Sequence, residues 1–584
     1  MLNSYYTKIW HCHTVAGIFP LLLCVTGLII AGGCSKETLN GSSPVTPPVV
    51  VSTDPNGGLN VRKMAADADS YSITYGALTP TTINTLKSYP LVIVHPYNGN
   101  ITRDQIRSVQ QGMNDGNAGD NVVVLCYISI GEDTRTYQLT DDQIRLDTRF
   151  TGDGSGPSID PRGYAPSGRS LAGIDPRGTA TNGGLASYFV NDNSVRCKGA
   201  PDKSPDLNGN FLTRFVNAGD PLWYDTVKEM QMNSVTHTPP GLKELLTSTY
   251  GRGLACDGIF LDTVDTAAPN KYTNCSDSNH SSSEWTAKGF SDFIGRIRAD
   301  FPDKVILQNR GLFFFDPREP HYQVSARGLI DIAFFESYRL ANDVSYTISP
   351  YFTDNKYNTA PKLMAEANRP NGFKVLSLGY ASGFNAPKPG IDLQTLLGTS
   401  SSGFDILLAD IEEAHSVGFR HYLTNANVDF LNSFVKNNEN LSDTTPPQWA
   451  SVFNANFNPP APMTPRIGIQ NVESLTPGSV TVSWDVALDM NRVSYVLYYK
   501  TGPFDFSADP KLLSATKVPL KPSPGTGYDL VWNSQNPNLA LADVYPYQAT
   551  IGGLQKGIPY YFVLRAVDSR ENEDNNQFVL TATP

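Results

Sequence analysis

The chain is 584 residues long and sets 45 basic against 56 acidic side chains, a formal net charge of -11, so it lacks the clustered Lys and Arg that a nucleic-acid backbone demands. Its length exceeds what one hydrophobic core usually holds, and more than one domain is expected. Its seven cysteines include no CxxC pair and no HExxH occurs, which argues against a structural zinc site and zinc-peptidase chemistry.

Residues 16 to 33 read AGIFPLLLCVTGLIIAGG: uncharged, preceded by Lys8, and ending in small residues just before Cys34. The segment 1–33 resembles a bacterial lipoprotein signal, which implies lipid attachment at Cys34, although Ala31 stands where such signals usually carry Leu. An uncut N-terminal membrane anchor is the alternative, because a run of this length reaches the lower limit for spanning. Both versions imply an exported, membrane-anchored protein, and the lipoprotein version one at the outer membrane or cell surface. Residues 34–55, rich in Ser, Thr and Pro, read as an extended tether.

From 56 to 440 apolar runs alternate with helical periods, the pattern of βα units around a parallel sheet. Eight runs read as strands: Tyr71 to Gly76, Leu91 to His95, Val122 to Ser129, Gly258 to Asp262, Val305 to Asn309, Asp331 to Glu336, Lys374 to Tyr380 and Arg420 to Thr424. Thr102 with Gln105, and Ser281 with Glu284, have the spacing of helix capping boxes, the second ahead of Phe290, Phe293, Ile294 and Ile297. The expected fold is an α/β chain with a (β/α)8 TIM-type barrel. An open doubly wound sheet competes, but no GxGxxG or phosphate loop follows any strand.

A long insertion, 147–220, is dense in Gly, Asp, Ser and Pro and repeats Ile159-Asp-Pro-Arg-Gly163 as Ile174-Asp-Pro-Arg-Gly178. A loop of this length is expected to line a substrate groove. Pro205 to Asn210 has a calcium-loop flavour but lacks the closing Glu, Asn217 standing there, and reads as a turn. Cys256 and Cys275 are close enough in sequence to close a disulfide loop around Asp262, while Cys126, inside an apolar run, reads as a buried small residue. Residues 441–466 are a Pro-rich linker, and 467–584 carry short alternating strands of an all-β domain. Val480 to Trp484, Val493 to Tyr499 and Gly553 to Ala566 resemble the B, C and F strands of a fibronectin type III-like sandwich, with Leu554 and Tyr560 at its tyrosine corner.

Asp262 and Glu336 each end an apolar run, and carboxylates at the C-terminal tips of barrel strands sit where such folds do chemistry. Paired acids point to glycosidic cleavage. Phe334, Phe335 and Tyr338 are expected to exclude water from Glu336 and raise its pKa. Tyr127, Ser129, Glu132, Asp265, Asn309 and Tyr380 are expected to bind substrate from other strand tips. Glu132, an acid in its own right, is an alternative proton donor, and plainer readings stand beside these: Glu132 pairing with Arg135, Asp265 capping a helix, Asn309 holding a loop. His95 and His421 are also read as strand-end residues, but with no serine elbow they read as packing or sugar-contacting residues.

The run Cys126 to Glu132 (CYISIGE), Asp257 to Asp265 (DGIFLDTVD), Asn309-Arg310-Gly311, Phe335-Glu336-Ser337 and Asn217 to Tyr224 resemble the family 114 glycoside hydrolases over roughly residues 70 to 435. The resemblance implies an endo-α-1,4-polygalactosaminidase-like enzyme acting on a cationic, galactosamine-rich polysaccharide, with Asp262 and Glu336 catalytic and no cofactor or metal. By analogy with other barrel glycosidases Asp262 attacks and Glu336 protonates; the reverse assignment stays open, as does the anomeric outcome. The acidic charge suits a cationic polymer. Two alternatives stand beside this: a non-catalytic surface glycan-binding lipoprotein, and a glycosidase of the same fold acting on another polysaccharide.

Overall fold

The computed structural model describes residues 54–114, 116–152, 184–191, 204–209, 211–268, 283–316, 319–341, 348–369, 371–381, 402–450, 467–520 and 547–584. The leader, Cys34, Cys275 and both IDPRG repeats lie outside the described residues. Among the described residues no helix is long and apolar enough to cross a membrane.

The strands in chain order begin with β1 (Tyr71–Thr74), β2 (Leu91–Val94) and β3 (Val123–Ser129). Three short ones follow, β4 (Glu132–Asp133), β5 (Leu207–Asn208) and β6 (Thr213–Phe215). Next come β7 (Gly258–Asp262), β8 (Val305–Asn309), β9 (Ile332–Glu336), β10 (Lys374–Tyr380) and β11 (Arg420–Thr424). The eight long ones form one parallel sheet ordered β1-β2-β3-β7-β8-β9-β10-β11, with β4, β6 and β5 in a small separate sheet. Every expected barrel strand is present because runs such as LVIV, VVLC and IAFF are buried on both faces, which only a sheet covered on both sides tolerates. The first and last strands meet: the Tyr71 ring lies 5.7 Å from Tyr422, and the Tyr75 N–H donates to Val428 O at 2.6 Å. The result is a nearly closed barrel.

Inside it the side chains stack in layers. Tyr71, Phe260 and Phe334 pack edge to face at 5.9 and 5.1 Å, an aromatic floor beneath the strand tips. Alternation sends the neighbours outward: Phe335 packs on Tyr338 at 5.2 Å and Phe419 at 5.8 Å, between sheet and helices. Of the three aromatics expected beneath Glu336, only Phe334 is therefore there; Phe335 and Tyr338 belong to the outer layer.

The Thr102–Gln105 capping box forms, each side chain taking the other's backbone N–H at 3.3 and 2.8 Å. Ser281 of the second lies outside the described residues. Glu284 sits in a single 3-10 turn, and the helix runs Ala287–Asp300 from Thr286 without a side-chain cap, burying Phe290, Phe293, Ile294 and Ile297. At the far end of the barrel Asp257 accepts N–H bonds from Asn56, Gln110 and Val124 and fastens β3 to β7.

The disulfide differs from expectation. Cys256 bonds Cys126, 130 residues away, with Cα atoms 6.1 Å apart and both side chains buried. Cys256 is thus not available to Cys275. The physical reason is topology: β3 and β7 are neighbours in the sheet, so Cys126 meets the segment entering β7 although the sequence separates them widely.

The C-terminal strands are β12 (Gln448–Trp449), β13 (Ile469–Thr476), β14 (Ser479–Trp484), β15 (Ala487–Leu488), β16 (Ser494–Lys500), β17 (Thr516–Leu520), β18 (Tyr547–Ile551), β19 (Tyr560–Val567) and β20 (Val579–Ala582). Sheets β13-β14-β18 and β17-β16-β19-β20 enclose Trp484, Tyr495, Tyr547 and Phe562 as a β-sandwich. Tyr560 OH accepts the Gln555 N–H at 3.1 Å. Gln448–Trp449, inside the stretch read as linker, pairs with β15, and the Trp449 indole N–H donates to Asp574. Tyr547 OH donates to Ala365 O at 3.2 Å, tying sandwich to barrel.

Candidate active site

Five strand tips in a row supply one hydrogen-bonded chain. Tyr127 OH donates to Asp262 Oδ2 at 2.7 Å, and Tyr380 OH donates to Glu336 Oε1 at 2.6 Å. Between the acids Asn309 Nδ2 donates to Asp262 Oδ1 and to Glu336 Oε2, both at 2.8 Å. Register turns all five inward: Tyr127 lies opposite Phe260, two residues before Asp262, Asn309 opposite Phe334, two before Glu336, and Glu336 opposite Leu378, two before Tyr380. Asp262 and Glu336 are partly open, whereas Asn309 and Tyr380 are buried beneath them.

Three of these tips end abruptly in left-handed residues: Thr263 (φ 60°) after Asp262, Arg310 (φ 54°) after Asn309, and Ser337 (φ 58°) after Glu336. A β-branched residue there is a strained conformation that needs outside support. Thr263 has it, because its Oγ1 lies 2.6 Å from Ser129 Oγ and accepts the Gly131 N–H at 2.9 Å. Gly131 must be glycine, since a Cβ would stand 2.0 Å from Thr263 O. Ser129 therefore supports the turn after Asp262.

Burial, and next the charge of Asp262, push Glu336 above its ordinary value. Burial, and next the charge of Asp262 on Tyr127 and of Glu336 on Tyr380, hold both hydroxyls far above the usual tyrosine range, so both remain donors. Glu132, 4 % exposed, is pushed up to about 7 by burial, against the opposing bonds from Thr213 Oγ1 and Asn208 Nδ2. The expected Glu132–Arg135 pair is absent: Arg135 turns to Asp133 at 2.7 Å, because consecutive residues of β4 face opposite ways. Asp265 caps no helix. It accepts from Arg310 Nε at 2.6 Å and from the Gly311 N–H at 2.7 Å, bracing the turn that follows Asn309.

His421 joins a different array. Its Nδ1 lies 2.9 Å from Ser377 Oγ and its Nε2 2.8 Å from Asp410 Oδ2, on the outward face of β10 and β11. All three are sealed from solvent, so this line packs the barrel and cannot reach a substrate. His95 stacks on Tyr127 at 4.1 Å. Sequence reasoning passed over Tyr75, one residue beyond β1, whose ring closes against His95 and Tyr127 at 5.1 and 5.4 Å; its place at a strand tip was the available signal.

No protein-family model and no curated protein matches the chain. Among solved structures, the glycoside hydrolase domain of PelA from Pseudomonas aeruginosa is similar at 14% identity, covering 62% of this chain and 97% of that one, with a TM-score of 0.34. A glutamate-to-alanine variant of the same domain matches at 13% identity and TM-score 0.35 over the same shares. The fn3 domain of human collagen alpha-1(XX) chain matches 22% of this chain and 90% of its own at 18% identity and TM-score 0.11. Overlaps this low carry no argument, and the function is read from the residues themselves.

Proposed function

We propose that this chain is a glycoside hydrolase that cleaves internal α-1,4 bonds of a galactosamine-containing polysaccharide from an exported, membrane-anchored position set by Cys34. One observation carries the hydrolytic reading: a single amide nitrogen, Asn309 Nδ2, touches both Asp262 and Glu336, so two acids distant in sequence face one gap of bond size. Glycosidic cleavage needs one group to protonate the departing oxygen and another to meet the oxocarbenium-like carbon. Glu336 suits the first task, since burial favours its protonated form. Asp262 suits the second, each oxygen oriented by one donor from Tyr127 or Asn309.

The facing oxygens both lie 2.8 Å from that nitrogen and are separated by no more than twice this distance. Such a span matches the roughly 5 to 5.5 Å of retaining pairs rather than the roughly 6.5 to 9.5 Å of inverting ones. Asp262 then forms a glycosyl ester as Glu336 gives its proton to the leaving oxygen. Glu336 next takes a proton from water, which displaces Asp262 and restores the original anomeric configuration. The motif resemblance and the acid-rich mouth support the cationic substrate, and the buried Cys126–Cys256 disulfide supports an oxidising compartment. The alternating strands around Tyr560 support a fibronectin type III reading of the sandwich.

The test is reducing-end release from galactosamine-rich exopolysaccharide by wild type, Asp262→Asn and Glu336→Gln. Activity in wild type alone supports the assignment. Three inert proteins that still retain polymer replace hydrolysis with binding, and cleavage confined to other glycans removes the substrate while leaving the enzyme class.

A further inference from the structure

We propose that His95 reads the substrate: its Nε2–H donates to a hydroxyl of a sugar seated against Asp262, in a mouth suited to neutral or amine-bearing sugars and closed to uronic acids. The inference deepens the glycosidase reading and rests on it. His95 directly follows β2, two strands from Asp262. Its ring lies nearly parallel to Tyr127, at 4.1 Å and 17°, and edge-on to Tyr75 at 5.1 Å. Tyr127 is the residue whose hydroxyl holds Asp262, so the imidazole plane is fixed beside the acid.

The tautomer follows from one bond. Nδ1 accepts the Asn98 N–H at 3.3 Å, and on that bond we assign the proton of the neutral ring to Nε2. Nε2 has no partner among the described residues, and the side chain is half-buried rather than sealed. Burial lowers its pKa to about 3, so the ring presents a neutral donor at any working pH. A residue serving only to pack would be as well supplied by phenylalanine, which the barrel uses one layer down at Phe260 and Phe334.

Charge narrows the ligand further. Among the described residues Asp262, Glu336 and Asp265 stand at the mouth with Glu132 buried below, and Arg310 there is engaged by Asp265 at 2.6 Å. A sugar carboxylate entering this site would lose its hydration and meet acids and an uncharged imidazole. An amine or a hydroxyl meets acceptors.

The experiment measures kcat and KM on α-1,4-linked galactosamine oligomers and on α-1,4-linked galacturonic acid oligomers for wild type, His95→Phe and His95→Gln, with melting temperatures as the control for folding. His95→Phe is expected to raise KM about tenfold, the worth of one neutral hydrogen bond, with kcat changed less than about threefold. His95→Gln, which restores an N–H, recovers most of the loss, and galacturonic acid oligomers are neither cut nor bound. An unchanged KM in His95→Phe, or a Gln variant no better than Phe at equal melting temperature, overturns the role of His95; efficient cleavage of the uronic acid overturns the charge selection. If wild type cuts neither oligomer the galactosamine substrate reading fails, and calorimetric binding of galactosamine oligomers decides this inference alone: weaker binding to His95→Phe keeps it, and equal or no binding sinks it.

Discussion

Strand β10 contributes to two polar arrays that differ in access rather than in chemistry. On its inward face Tyr380 ends the chain Tyr127–Asp262–Asn309–Glu336–Tyr380; on its outward face Ser377 begins the line Ser377–His421–Asp410. By residue type the outward line has the more catalytic make-up, a serine, a histidine and an aspartate in hydrogen-bond contact. It is sealed between sheet and helices, with Ser377 and Asp410 each bonded to the His421 ring, while Asp262 and Glu336 stand partly open at the strand tips. Side-chain chemistry proposes a site, and alternation along the strand decides which proposal a substrate can reach.

Removing chemistry from the open array should give the largest effect. Asp262→Asn and Glu336→Gln are expected to lower kcat by at least about 10³-fold while the melting temperature stays near that of wild type. In the sealed array the sign of the experiment inverts. His421→Ala leaves Asp410 and Ser377 without their partner in a buried layer and should cost about 3 kcal/mol in denaturant unfolding, with kcat of the folded protein unchanged. Loss of turnover at undiminished stability would abolish the distinction. Asn309→Ala sharpens it from the other side: without the bridging amide the acids lose their fixed spacing, and a displacement of about 1 Å is worth roughly 10²-fold in rate. The reducing-end assay on that variant, at matched folded concentration, reads the effect.

The legibility of the sequence rests on the same physics. Continuous apolar runs announce parallel strands because nothing else buries them on both faces, and the residue at each tip is then known to stand at the mouth. Asp262, Asn309, Glu336 and Tyr380 were legible for that reason. The Cys126–Cys256 bond was not, because it depends on β3 lying beside β7, a neighbourhood absent from sequence spacing. Phe335 was open to a better reading: adjacent to Glu336 on a strand, it must face the other way. The same alternation, applied to Glu132 and Asp133, would have given Arg135 its true partner. The turn at Thr263 left no trace in the sequence, since a left-handed threonine is held only by groups that folding brings to it.

Glu132 shares a trait with each array, buried like the sealed line yet coupled to the charge of Asp262, and gives the smallest and most specific test. Burial raises it from an ordinary 4.5 to about 7. A carboxyl whose folded pKa lies above its unfolded one binds its proton more tightly in the native state. The native chain thus holds more protons than the unfolded chain between about pH 4.5 and about pH 7. This group's contribution to stability is complete below that window, declines as pH rises through it at up to about 1.4 kcal/mol per pH unit, and is gone above it. Glu132→Gln keeps an acceptor for Asn208 and Thr213 but cannot ionise, so its unfolding free energy should lose this slope, measured by urea titration at pH 5, 6, 7 and 8. An unaltered slope would mean that Glu132 is solvated through the mouth, and that the boundary between sealed and open runs on its other side.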